Sequence, residues 1–112
     1  MTLTREELLA MEPGNELDIE IAVTVMGRER DKFRSGWIRL GDLSTYPKQY
    51  SKDISAAWEV EERIKVLRLH TGYVSCIKQV LVGTGEYVGM FDYIHATAEQ
   101  RCKAALLAVL NL

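Results

Sequence analysis

The sequence has little of what marks a secreted, membrane-spanning or strongly charged protein. Its 112 residues include only two cysteines and two prolines, and no apolar run approaches the roughly 20 residues that span a bilayer. Its first residues lack the basic segment and apolar run of a secretory signal. The formal net charge of −2 gives the whole chain no strong attraction for nucleic acid or anionic membranes. We therefore expect a cytoplasmic protein that does not bind membranes.

Sequence motifs for enzymatic chemistry are also missing. The glycine-rich stretch at 83–85 lacks the Lys-Ser/Thr of a phosphate-binding loop and is better explained as a hairpin turn. Neither cysteine lies in a recognisable nucleophile motif. A zinc site would have to combine His70, Cys76, His95 and Cys102, which lack the close pairwise spacing of such sites. We expect reduced cysteines, no catalytic residues, no metal and no cofactor, and a protein that is not an enzyme.

What the sequence does contain is the composition of one folded domain, which we predict over residues 1–112. Hydrophobic residues make up 47% and charged residues 27%, as in ordinary globular proteins. Four segments have helix start signals, including capping boxes at Thr4 and Thr97, or apolar residues at helical spacing. They predict helices at 4–11, 15–27, 51–65 and 97–110. Three segments rich in β-branched and aromatic residues predict strands at about 66–71, 73–82 and 86–96.

These elements predict an α+β fold. A small antiparallel sheet of about three strands needs helices to cover its faces, so an α/β/α sandwich is the expected architecture. In it we expect four side chains to be buried: Trp58, Ile64, Leu106 and Leu110. On that expectation, Trp58→Ala would cost about 3–5 kcal/mol of stability.

The predicted strand at 86–96 also bears on assembly. It has no proline and few charges, so it lacks the devices that usually block pairing at a sheet edge. This predicts a two-fold homodimer, since two-fold pairing is the commonest closed assembly. The alternative is a monomer in which residues 28–50 cover that edge.

Basic residues are concentrated in one part of the chain. Residues 28–52 hold seven of the 14 lysines and arginines. Residues 28–50 show no sustained periodicity, which predicts a mostly irregular excursion, punctuated at Gly41-Asp42, in which Trp37, Ile38 and Leu40 could form a short strand. Arginines bind phosphate and aromatic rings stack on bases, so this segment could bind a nucleotide or nucleic acid. The candidate ligand-binding residues are Arg28, Arg30, Arg34, Trp37, Arg39 and Tyr50.

The alternative for this segment is a solvated loop, or a basic surface paired with the acidic N-terminal helices. The position of the segment would separate the two functions. A segment folded back on Glu16 and Glu20 would favour a protein-binding role. An open basic pocket with Trp37 exposed would favour nucleotide or nucleic-acid binding.

Three stretches of the chain resemble one known family. ELDIEIAVTVMG at 16–27, YSKDISAAWEVEERI at 50–64 and CKAALLAVL at 102–110 are similar, in this order, to motifs of the phage ABA sandwich domain family. The middle stretch is the most specific. The resemblance implies a sandwich fold and an origin in a phage or prophage, hence the cytoplasm of a bacterial host, and it brings no catalytic residues.

The middle stretch has a structural explanation that needs no function. Ser51 and Asp53 can cap the helix that follows them, while a ligand-binding role for Tyr50, Ser51 or Asp53 is the alternative. Taken together, the sequence favours a non-enzymatic phage or prophage accessory protein that binds an unidentified host or phage protein. The alternative is a small nucleotide- or nucleic-acid-binding module that uses residues 28–50.

Overall fold

The structure, a computed structural model, describes residues 3–82 and 89–112. In these ranges the α-helices are α1 (Arg5–Ala10), α2 (Asn15–Glu20), α3 (Ile54–Val66), α4 (His70–Val82), α5 (Met90–Ile94) and α6 (Ala98–Leu110). A π-helical segment at Ile21–Val25 continues α2. The strands are β1 (Glu29–Arg30), β2 (Ile38–Leu40) and β3 (Leu43–Thr45).

The last helix, α6, lies at the centre of the fold. Every residue from 101 to 107 is buried, and α1, the π-helical segment, α3 and α4 all pack against it. Its predicted capping box is confirmed, because Thr97 Oγ1 accepts the Gln100 N–H at 3.1 Å and Gln100 accepts the Thr97 N–H at 2.9 Å. Asn111 ends the helix in the left-handed conformation, with φ of 55°. A helix buried on all sides needs partners in every direction, and these helices supply them.

The predicted N-terminal helices are also present. Thr4 and Glu7 form the predicted capping box at the start of α1. The buried Leu8 packs this helix against the hydrophobic core. In α2 and the π-helical segment, the expected apolar stripe of Leu17, Ile21 and Val25 is buried. None of the helices in the described ranges is long and apolar enough to cross a membrane.

The prediction of strands at 66–71 and 73–82 is wrong. Residues 66 and 70–82 are helical, and the left-handed Arg68, with φ of 59°, lies between α3 and α4. Tyr73, Ile77 and Leu81 recur every four residues and are all buried. Packing of this stripe against α6 outweighs the β propensity of the individual residues, because that propensity depends strongly on context.

The predicted strand at 86–96 is also wrong where the structure describes it. Met90–Ile94 is α5, a helix whose start is fixed by the Asp92 carboxylate accepting the Gly89 N–H at 2.8 Å. Residues 86–88 and the predicted hairpin turn at 83–85 lie outside the described residues. Met90–Ile94 therefore does not supply the strand edge from which the homodimer was predicted.

The strands lie instead in the segment that was predicted to be mostly irregular, where β2 coincides with the short strand considered at Trp37, Ile38 and Leu40. The sheet is antiparallel in the order β1-β2-β3, with Arg30 opposite Ile38 and Leu40 opposite Leu43. Gly41, with φ of 63°, and Asp42 form the two-residue hairpin loop between β2 and β3. The fold class is thus confirmed as α+β and sandwich-like, with a small three-stranded antiparallel sheet, although its strands come from residues 29–45.

Burial agrees with the sequence for two of the four predicted core residues. Ile64 is 1% and Leu106 0% exposed, but Trp58 is 56% and Leu110 38% exposed. Trp58 follows the buried Ala57, so it is rotated by one residue, about 100°, away from the inner face of α3. Leu110 is the last residue of α6, where the surrounding helices no longer enclose it.

We therefore expect Leu106→Ala to lower the free energy of unfolding by about 2–5 kcal/mol, because it opens a cavity on the central helix. Trp58→Ala should cost less than about 1 kcal/mol, as for a surface substitution without a specific partner. Urea denaturation followed by circular dichroism measures both values. A cost above about 3 kcal/mol for Trp58→Ala would mean that this ring is packed in the core after all.

Candidate functional site

The structure divides the six predicted ligand-binding residues between different surfaces. Three of them share the outer face of the sheet, since Trp37 and Arg39 alternate with the buried Ile38. The Arg34 guanidinium lies 4.8 Å from the centre of the Trp37 ring. Tyr46 packs against the same indole, with 4.5 Å between the ring centroids. Trp37 is thus half-buried between two neighbours.

The other three predicted residues are placed differently. Arg30 Nη2 contacts Glu20 Oε1 of α2 at 2.5 Å. Tyr50 is 5% exposed. Its pKa is raised, and burial is the largest cause of that shift. Arg28 is exposed and close enough to Tyr50 for its charge to act on the phenol. The six residues consequently do not form one binding pocket.

The basic segment is also tied back to the acidic N-terminal helices. Besides the Arg30–Glu20 contact, Asn15 Nδ2 donates to the Gly36 carbonyl at 3.1 Å. Within the segment, the Asp31 carboxylate accepts the N–H of Phe33 at 2.8 Å and the Ser44 hydroxyl. These hydrogen bonds lower the pKa of Asp31, and the bond from the Ser44 hydroxyl has the largest effect. They also fix the loop between β1 and β2.

Asp18 and Ser51, from two of the motifs noted above, meet in the interior. Both are 3% exposed. Asp18 Oδ1 accepts the Ser51 hydroxyl at 2.7 Å and the Ser51 N–H at 2.8 Å, while Ser51 Oγ accepts the Gly14 N–H at 2.9 Å. Burial raises the pKa of Asp18, and the two bonds from Ser51 oppose that shift. This contact joins the start of α2 to the chain entering α3.

A second polar residue of the middle motif, Asp53, also serves the fold. Asp53 is the N-cap of α3, and its Oδ1 accepts the Ser55 N–H at 2.9 Å. The expected capping role of Asp53 is confirmed. Ser51, which was expected to share that role, bonds to Asp18 and Gly14 instead.

A different surface has the shape of a binding site. A groove of about 500 Å³ runs between α4 and α5, with α3 and α6 at its base, and we call it the α4–α5 groove. It is lined by Glu61, Tyr73, Val74, Ile77, Gly89, Met90, Tyr93 and Arg101. Apolar clefts with a few fixed polar groups are typical of binding sites.

The polar base of the groove is a closely bonded network. Tyr73 Oη donates to Glu61 Oε2 at 2.5 Å, and Arg101 Nη1 donates to the same oxygen at 2.6 Å. Arg101 also donates through Nε to the Ala96 carbonyl and through Nη2 to the Ile94 carbonyl, both at 2.9 Å. Arg101 is only 8% exposed. Its bonds to Glu61 and to the Ile94 carbonyl link α3 and α5 to its own helix, α6, beside the groove.

The phenol of this network, Tyr73, stays protonated near neutral pH. Burial, and then the hydrogen bond to Glu61, raises the pKa of Tyr73 far above its usual range. The phenol therefore remains a hydrogen-bond donor to Glu61. The base of the groove is thus preformed.

Exposed apolar side chains lie on the groove and on α5 beside it, and we call these four residues the rim: Val74 and Met90 line the groove, and Phe91 and Ile94 lie on α5. Val74 is 54%, Met90 80%, Phe91 71% and Ile94 66% exposed, and the His95 ring stacks on Phe91 with 4.1 Å between centroids. Sequence reasoning missed this surface because it assigned both walls to strands. Ile94 lies three residues after Phe91 and four after Met90, a spacing that brings side chains together on the surface of a helix. This spacing was the signal that could have revealed the surface.

Groups for metal or thiol chemistry are not gathered together in the described ranges. Residues 3–82 and 89–112 contain no cluster of three or more His, Cys, Asp or Glu side chains placed to hold a metal ion. Both cysteines are free. Cys102 is fully buried, and burial raises the pKa of its thiol to about 12, which keeps it protonated and unreactive.

The Asp18–Ser51 contact yields a pH-dependent prediction. Ser51→Ala removes the hydroxyl that stabilises the ionised Asp18, so it should cost about 1–3 kcal/mol at pH 7. The cost should shrink as the pH falls through the raised pKa of Asp18, because the protonated acid needs that donor less. Urea denaturation at pH 7 and pH 4 measures it, with the exposed Ser55→Ala on α3 as the matched control. An equal cost at both pH values would contradict the assignment.

Comparison with known proteins identifies the family. The family model of the phage ABA sandwich domain matches residues 19–106 of the 112, a range that includes the π-helical segment, the sheet, α3, the base of the groove and most of α6. Comparison with curated proteins and with solved structures finds no match. The chain belongs to the phage ABA sandwich domain family, as its sequence motifs indicated.

Proposed function

We propose that this protein is a non-enzymatic accessory protein of a phage or prophage that acts in the cytoplasm of the bacterial host. It acts by binding a protein through the α4–α5 groove. The observation that carries this proposal is the combination of an apolar groove, lined in part by the exposed Val74 and Met90, with the exposed apolar side chains of Phe91 and Ile94 on the adjoining helix α5. Contiguous apolar surface of this kind marks interaction sites in soluble proteins.

The energetics favour a macromolecular partner. Burying apolar surface contributes roughly 25 cal/mol for each Å² removed from water, and Met90, Phe91 and Ile94 have most of their surface still to bury. The polar base needs no rearrangement, since Glu61, Tyr73 and Arg101 already satisfy one another. Preformed sites of this type lose little free energy in ordering when a partner binds.

The chemistry of the groove supports binding rather than catalysis. Tyr73 is held protonated, and Glu61 is neutralised by Arg101 at 2.6 Å. A general acid or base works best with a pKa near the working pH, and the Tyr73 phenol does not meet that requirement. The buried, protonated Cys102 thiol is likewise a poor nucleophile.

Nucleotide or nucleic-acid binding remains the second candidate, on a smaller surface than expected. Arg34, Trp37 and Arg39 share the outer face of the sheet, and beside them Phe33 is 91% and Tyr46 63% exposed. Exposed aromatics among arginines suit single-stranded nucleic acid. The folded-back segment, with Arg30 paired to Glu20 and Tyr50 buried, favours the protein-binding function instead.

Site-specific photo-crosslinking tests the proposed function. A benzoylphenylalanine in place of Phe91, in bacteria carrying the phage that encodes the protein, should give a defined protein adduct. The matched control places the same group at Leu43, which is 72% exposed on the sheet. We expect at least tenfold more adduct from position 91, and loss of that adduct when Ile94→Asp is added. Equal labelling from both positions, or no adduct from position 91, would contradict protein binding at the groove.

A further inference from the structure

We infer that the α4–α5 groove binds a second copy of this chain, in a two-fold dimer. In this dimer α5 of each protomer lies over the groove of its partner. The inference rests on the proposed function, since it takes the groove to be a protein-binding surface, and it names the partner.

The first argument is that the surface is complementary to itself. A two-fold interface uses the same patch on both chains, so that patch must contain both a recess and a projection. The groove supplies the recess between α4 and α5. Phe91 and Ile94 are exposed on α5, and Met90 both lines the groove and is 80% exposed. A two-fold rotation brings each projection over the other recess, and both contacts form at once.

The second argument concerns charge. A patch that faces itself opposes every unpaired charge with a like charge, which is costly once water is excluded. The charged residues that line the groove are Glu61 and Arg101, and they form an ion pair with 2.6 Å between Oε2 and Nη1. On α5, the Asp92 carboxylate accepts the Gly89 N–H. The paired charges at the base leave the lining of the groove nearly neutral, and in the dimer the charged Asp92 lies at the solvated edge of the interface.

The third argument is the area. An aromatic side chain such as Phe91 has roughly 150–250 Å² of surface to bury, and the aliphatic Val74, Met90 and Ile94 lie toward the lower end of that range. At exposed fractions of 54–80%, the four rim side chains leave on the order of 500 Å² of apolar surface uncovered on each copy. That is near the upper end for the largest apolar patch of a soluble monomer. Two such patches together reach the roughly 1,000 Å² that a specific interface needs.

Analytical ultracentrifugation tests the dimer. At tens of micromolar the protein should sediment at about twice the monomer mass of 12.7 kDa. Phe91→Asp should raise the dimer dissociation constant by at least tenfold, because the interface would then have to desolvate an unpaired carboxylate. Leu43→Asp is the matched control, since it adds the same charge at a comparably exposed apolar position on the sheet, and it should leave the dimer unchanged.

Either of two sedimentation results would overturn the inference. One is a single 12.7 kDa species at every concentration. The other is a dimer that Leu43→Asp disrupts and Phe91→Asp does not. If Phe91→Asp fails to fold, Met90→Lys and isotope-filtered nuclear Overhauser effects between Phe91 and Val74 of different chains decide the same question, and a dimer without these contacts also overturns it. A monomer that still gives the crosslink at position 91 to another protein refutes the dimer but leaves the proposed function standing.

Discussion

The burial of α6 on every side is the constraint on which the rest of the structure depends. A helix enclosed in this way must satisfy its charged residues inside the protein, and α6 carries two that are more than nine-tenths buried, Arg101 and Lys103. Arg101 reaches Glu61 on α3 and two carbonyls at 94 and 96. Lys103 donates to the Leu9 carbonyl at 2.8 Å and to Glu99 at 2.7 Å. These side chains bring α1, α3 and α5 to fixed positions, so the shape of the groove follows from the way the central helix is buried.

The sequence motifs and the candidate binding surface share one residue, Glu61 of the middle motif, and are otherwise different parts of the molecule. Asp18 and Ser51 bond to each other in the interior, and Asp53 caps α3, so the polar residues of these motifs maintain the fold. The groove uses α4 and α5, which lie between the middle and last motifs, although Arg101 at its base immediately precedes the last one. The motifs therefore identify the family, but they do not indicate the surface at which a partner would bind.

Local signals were sufficient where they involve neighbouring residues. The capping boxes at Thr4 and Thr97 and the apolar stripe of α6 predicted these helices, because the interactions that start a helix span three or four residues. The helix α4 could not be assigned in this way, since Tyr73, Ile77 and Leu81 suit a strand locally and become helical through packing on α6. Strands of two or three residues are too short for a periodic pattern, and only the apolar residues at 37–40 and the hairpin dipeptide Gly41-Asp42 signalled them. Without the positions of α4 and α5, the groove could not be predicted.

The central claim is that α6 organises the whole domain, and native-state hydrogen exchange tests it most directly. Amides of residues 102–107 should exchange only through global unfolding, so their opening free energy should equal the free energy of unfolding measured with denaturant. Amides of α5, a short helix with an exposed apolar face, should open at a lower free energy. Exchange of the 102–107 amides through local openings, well below the global free energy, would contradict the account.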